Sequence, residues 1–170
     1  VPETLDSTLP VLDSKDPNVR KLMVDALGKQ ADPRVVQPLV KLLEDPNPNV
    51  RASAAESLGH VRARAAVPAL VVLLRDEEWV AFSAAAALAE IGDATALPPL
   101  LDLLKQDREA VRYAAIEAIA ALDRAGITAL PLFELVPQAG TGLRPALIKT
   151  LVAITESQRA DLWGGLDKEQ

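Results

Sequence analysis

The 170-residue chain has no cysteine, which excludes disulfides and thiolate metal sites. Aromatic residues make up only 3%, and there is a single histidine, His60. Strand-type runs of β-branched and aromatic residues are missing, so an apolar content made mostly of Ala, Leu and Val points to close-packed helices. One histidine after Gly59, with neither an oriented partner nor a nucleophile beside it, reads as a surface turn residue and not as a general base. Cations are also in deficit: 18 Lys and Arg against 24 Asp and Glu give a net charge of −6 and a pI near 4.8. That balance argues against a sequence-independent grip on nucleic acid, which needs cationic side chains facing phosphates. No apolar run approaches the roughly 20 residues of a membrane span. The lack of cysteine fits a cytoplasmic protein, and Val1-Pro2-Glu3-Thr4-Leu5-Asp6 lacks the basic start and apolar run of a signal peptide. No glycine-rich phosphate loop occurs; Gly140-Thr141-Gly142 lacks the preceding strand and reads as a turn.

What is present is a repeat. Val19-Arg20 to Leu27-Gly28 returns as Val50-Arg51 to Leu58-Gly59, Val80-Ala81 to Leu88-Ala89, and Val111-Arg112 to Ile119-Ala120, the leading valines standing at a near-constant interval. In this phrase, helix A, the columns Val19/Val50/Val80/Val111, Met23/Ala54/Ala84/Ala115, Ala26/Ser57/Ala87/Ala118 and Leu27/Leu58/Leu88/Ile119 fall on one helical face. Small residues in the middle columns let neighbouring helices approach closely. A second phrase, helix B, follows: Val36, Leu39, Leu42 and Leu43 match Val67, Leu70, Leu73 and Leu74, then Leu97, Leu100, Leu103 and Leu104. Residues 130–136 form an irregular fourth copy.

Asp16-Pro17 and Asn47-Pro48 read as N-caps followed by proline at N1, with Asp76 and Asp107 expected to cap the third and fourth A helices. Gly28, Gly59 and Gly92 suit C-terminal turns of positive φ. Proline in every B segment means that helix B begins late or kinks early. The spacing divides the chain, as one domain over 1–170, into a half-repeat B helix (1–15) without its own A partner, four repeats (16–44, 45–75, 76–106, 107–136) and a terminal partial repeat and tail (137–170). An A-like phrase from Leu143 to about Ser157 lies in that last part. Half-units at both ends suggest a segment of a longer protein, able to self-associate through its terminal repeats.

The pattern from Asp16-Pro17-Asn18-Val19-Arg20 through Ala26-Leu27-Gly28 to Val67-Pro68-Ala69-Leu70-Val71-Val72-Leu73-Leu74 resembles the short HEAT-like repeat, found also in phycobilisome lyases and bacterial scaffold proteins. The resemblance covers roughly Asp16 to Val136. It implies an all-α, right-handed α-solenoid of antiparallel helix pairs, HEAT/armadillo-like, with A helices convex and B helices concave. It also implies a polar ladder between units: Arg20, Arg51 and Arg112, with Asp16, Asp45, Asp76 and Asp107 as acidic candidates. Ala81 interrupts the arginine column in the third unit. The paired His-Glu motifs of iron-binding HEAT-like hydroxylases are missing, and Asp25, Glu56 and Glu117 read as a solvated face.

Two surfaces are candidates for binding a protein or peptide. Trp79 and Phe82, three apart on helix A, with Tyr113 in the Phe82 column of the next unit, either form an exposed apolar patch or fold inward beside Ala81. Inward packing is the preferred expectation, since it needs no partner. On the B helices, Gln37 and Lys41, then Val72 and Arg75, then Asp102 and Lys105 form a mixed surface, weighted above the aromatic one by analogy with other solenoids. The reading is a cytoplasmic scaffold or adaptor without cofactor, metal or catalysis, part of a larger bacterial regulatory protein. The alternative is a chromophore-handling protein like the phycobilisome (bilin) lyases.

Overall fold

The structure is a computed structural model and describes residues 9–30, 32–106 and 108–123, with Arg144, Pro145, Ile148 and Val152. Among these, seven α-helices and no strands occur: α1 (Pro17–Leu27), α2 (Val36–Leu42), α3 (Pro48–His60), α4 (Val67–Leu73), α5 (Glu78–Ile91), α6 (Leu97–Leu103) and α7 (Glu109–Asp123). Helices α1, α3, α5 and α7 are the A helices of the repeat; α2, α4 and α6 are the B helices. The expected phrase from Leu143, the fourth B segment and Asp107 lie outside the described residues, apart from those isolated positions.

Each B helix opens with a 3₁₀ turn, at Pro33–Val35, Arg64–Ala66 and Ala94–Ala96, before seven α-helical residues. Proline explains this late start. Without an N–H it fits only the first turn, and Pro68 and Pro98 sit there while the 3₁₀ turn precedes them.

The A helices stack directly, α1 on α3, α3 on α5 and α5 on α7, and each B helix packs against the A helix that follows it. The packed pairs are therefore α2–α3, α4–α5 and α6–α7, straddling the boundaries drawn from the spacing. The 3₁₀ helix Leu9–Asp13 packs on α1 in the same way. This segment of the expected half-repeat thus packs on the A helix of the following unit, as the other B segments do. Val50, Val80, Val111, Leu58, Leu88, Leu39, Leu70 and Leu100 are fully buried between the two rows. In α1 the pattern loosens: Ala26 is exposed and Leu22 is 62% exposed.

The glycines serve packing more than turning, contrary to the expectation from their positions. Gly28 has φ −61°, and Gly59 lies inside α3, so neither supplies a left-handed turn. A Cβ on Gly28 would meet Ser57 Cβ at 2.6 Å, and one on Gly59 would meet Ala87 Cα at 2.8 Å. These glycines are needed for close approach between A helices. Of the described glycines, only Gly92, at φ 71°, turns left-handed. Ser57 adds to the tight seam by donating to the Val24 carbonyl at 3.2 Å.

The B helices contact one another only weakly, chiefly through the 3₁₀ turns that precede the next helix. Gly28 and Gly59 let the A helices approach closely at Ser57 and Ala87, while the B row presents Leu and Pro to its neighbours.

Candidate functional site

The arginine column builds a ladder with a fixed step. Arg20 donates from Nε and Nη2 to both carboxylate oxygens of Asp45, each at 2.7 Å, and from Nη1 to the Ser14 carbonyl at 2.7 Å. One unit later Arg51 repeats the fork onto Asp76, at 2.7 Å twice, and Nη1 reaches the Asp45 carbonyl at 2.9 Å. Each arginine thus faces the acid at the start of the next unit. Asp16 has another role, capping α1 by accepting from Asn18 N at 2.9 Å. Ala81, fully buried, offers no fork, and Arg108 Nη2 instead donates to the Asp76 carbonyl at 2.7 Å. Arg112 Nη1 reaches the Gln106 carbonyl at 2.8 Å.

Burial would raise the Asp45 carboxyl, but the Arg20 hydrogen bonds, the Asn47 N–H and the Arg51 charge together hold it below the ordinary carboxylate value. Asp76 is lowered chiefly by its hydrogen bond from Arg51. Planar bidentate forks between units fix orientation, and every donor used in them is spent on the protein itself. The ladder sets the stacking and leaves its arginines little capacity for a ligand.

The described aromatic residues face outward. Trp79 and Phe82 are each 50% exposed and Tyr113 is 44% exposed, which overturns the preferred inward placement. The reason is that Val80, Ala81, Ala84, Ala85, Ala87 and Leu88 already fill the seams of α5, leaving no space to be occupied by rings. Trp79 and Phe82 stand on α5 and Tyr113 on α7, so the A row carries them. Exposed Glu78 lies one turn from Phe82, and exposed Glu109 and Glu117 lie one turn to either side of Tyr113.

The B-row candidates Gln37, Lys41, Val72, Arg75, Asp102 and Lys105 are all exposed, Val72 by 69%. Val72, Arg75 and Asp102 border a groove of about 300 Å³ between α4 and α6. Lys105 Nζ is committed to Asp102 at 2.8 Å, an exposed pair of small energetic weight. His60 ends α3 on the surface with Nε2 3.9 Å from Glu90. Among the described residues no group of three or more His, Asp or Glu could hold a metal. No described helix is long and apolar enough to cross a membrane.

A further groove, which the repeat pattern does not announce, opens between the turns that follow α1 and α3. It encloses about 550 Å³, and Lys29, Arg62 and Arg64 stand on it. The signal that could have found it lies in two columns of the repeat, Ala31/Arg62/Gly92 and Asp32/Ala63/Asp93. Asp32 accepts from Arg34 N and Asp93 from Thr95 N, each at 2.9 Å, closing their 3₁₀ turns. Ala63 cannot do so.

Residues 5–86 and 75–134 match the family of HEAT repeats. Among curated proteins none matches. Of similar solved structures, the complex of CpcE and CpcF of phycocyanin lyase from Nostoc sp. PCC7120 shares a TM-score of 0.65 at 24% identity, over 91% of this chain. This chain spans only 65% of the length of that one. An engineered protein matches with a TM-score of 0.60 at 23% identity, over 95% of this chain and 85% of its own. Computationally designed armadillo repeat proteins for modular peptide recognition match with a TM-score of 0.57 at 27% identity, over 86% of this chain and 80% of theirs. The likenesses to the lyase complex and to the engineered protein concern the fold alone.

Proposed function

The chain belongs to the HEAT-repeat family, and from that membership we propose that it is a protein-binding scaffold whose partner docks on the A row around Trp79, Phe82 and Tyr113. The observation that carries this reading is the exposure of three aromatic side chains together in a chain whose other described helices show few large apolar groups. Half of each ring leaves roughly 100 Å² to be covered, on the order of 2 kcal/mol per ring before the costs of association. That is the scale of an interface hot spot. Val72, the corresponding apolar group on the B row, offers one aliphatic side chain.

The carboxylates Glu78, Glu109 and Glu117 around the rings define the partner's chemistry: a peptide or helix with apolar anchors and Lys or Arg beside them. The designed armadillo relatives built for peptide recognition are consistent with an extended segment as occupant. A peptide library displayed on phage and selected against the full chain tests this. Enriched sequences should carry aromatic or aliphatic anchors with flanking basic residues, and should lose binding to a Trp79→Ala/Phe82→Ala variant while keeping it for Val72→Ser. The opposite pattern would move the site to the B row. A place within a larger bacterial regulatory protein belongs to the same proposal, and the flanking coding sequence tests it.

A further inference from the structure

We propose that the groove between the turns after α1 and α3 binds a compact, multiply charged anion of the phosphate class through Arg62, Arg64 and Lys29. This surface is separate from the aromatic one and does not depend on it.

Three observations converge. The first is backbone conformation. Arg62 has φ 51°, and among the described residues no other non-glycine has a positive φ. The turn closes α3 with Arg62 N on the Gly59 carbonyl at 2.8 Å and Ala63 N on the Leu58 carbonyl at 3.0 Å, an arrangement that favours glycine at this place. Gly92 occupies the same column after α5 and has the glycine the geometry asks for. The second is a missing cap. Where Asp32 and Asp93 close the sister turns, Ala63 supplies no side-chain oxygen, and Arg64 follows. In one turn, then, two local preferences are violated, and both departures add positive charge or remove negative charge. Violations of that type concentrate at binding sites, where strain is retained for what it positions.

The third is electrostatic vacancy. Lys29, Arg62 and Arg64 are exposed on one groove and make no ion pair with any described residue. The nearby acids are otherwise engaged: Asp32 forks onto Arg34, with contacts from 2.7 to 3.2 Å, and Glu90 faces His60. Asp93 is held by Thr95, and Arg64 acts on it only through space. In a chain of net charge −6, three cations thus stand on one groove without an ion pair among the described residues. About 550 Å³ lies within the range of small-ligand sites, and two guanidinium forks match phosphate oxygens geometrically.

The test is a titration of the full chain with pyrophosphate in low-salt buffer, followed by amide and arginine Nε–H shifts in NMR. Saturable shifts confined to residues 28–34 and 60–65 are expected. Arg62→Gly should weaken binding at least tenfold without lowering the thermal midpoint, because glycine accepts the turn that arginine resists. Arg64→Gln should weaken it comparably, and Arg75→Gln on the B row should leave it unchanged. Shifts that fail to saturate, or that spread to Lys41, Arg75 and Lys105, would overturn the site. So would Arg62→Gly and Arg64→Gln variants that bind as the unaltered chain does, or a hexaglutamate peptide that occupies these residues more tightly than pyrophosphate.

Discussion

Asp45 is the residue on which the stacking depends most visibly. Its carboxylate is almost wholly covered and receives two hydrogen bonds from Arg20, while its carbonyl receives one from Arg51. Asp45→Ala strands a guanidinium in a buried seam and should cost about 3 kcal/mol, at the low end for a broken buried pair, as read from urea unfolding. The pH dependence has a definite sign. Asp45 and Asp76 are both held below the ordinary carboxylate value, so their contribution is complete above the unfolded value of about 3.9 and is lost as pH falls through the lower native values. Urea midpoints should therefore stay level from pH 7 to 5 and drop below pH 4, with a shallower drop in Asp45→Ala/Asp76→Ala. The arginine column is legible in the sequence because Val-Arg recurs at fixed spacing. Its partner is not, since Asp16, Asp45, Asp76 and Asp107 are all available and only packing selects the acid of the next unit.

Helix starts and seams carry the next level. Asn47 accepts from Asn49 N at 2.9 Å and caps α3, whereas Glu77 precedes α5 with no side-chain cap. Asn47→Ala should then cost about 1 kcal/mol, and Glu77→Ala at the equivalent place only a small fraction of that. Thermal unfolding of the two variants checks the contrast. Asp76 cannot serve α5 as expected, because its carboxylate is turned to Arg51 and to Glu77 N. A competing long-range partner thus overrides a local preference. Gly59→Ala gives a sharper case. Helix propensity alone favours alanine by about 1 kcal/mol. The Cβ would meet the backbone of α5 at 2.8 Å, however, and overpacking of this kind costs about 1 to 3 kcal/mol. The variant should be less stable than the unaltered chain, measured by the same unfolding curve.

Over the whole molecule, stability follows the two rows unequally. Helices α3 and α5 have A-row neighbours on both sides and a B helix beneath, while α2, α4 and α6 are seven residues long and touch one another little. In native-state hydrogen exchange the amides of α3 and α5 should be the slowest among the described helices and those of the B helices distinctly faster. Equal protection in both rows would contradict this layout. Repeat period, helical class, apolar faces and the arginine column were determined by the sequence itself, because each is a one-dimensional pattern repeated at a fixed interval. Which helices pair, why Gly28 and Gly59 are glycines, and that Trp79, Phe82 and Tyr113 stand in solvent were decided only by tertiary structure. The physical reason is that these depend on distances between segments that lie a whole repeat apart in the chain. Whether a ring is buried is settled by what neighbouring side chains have already filled, and a single segment does not contain that information.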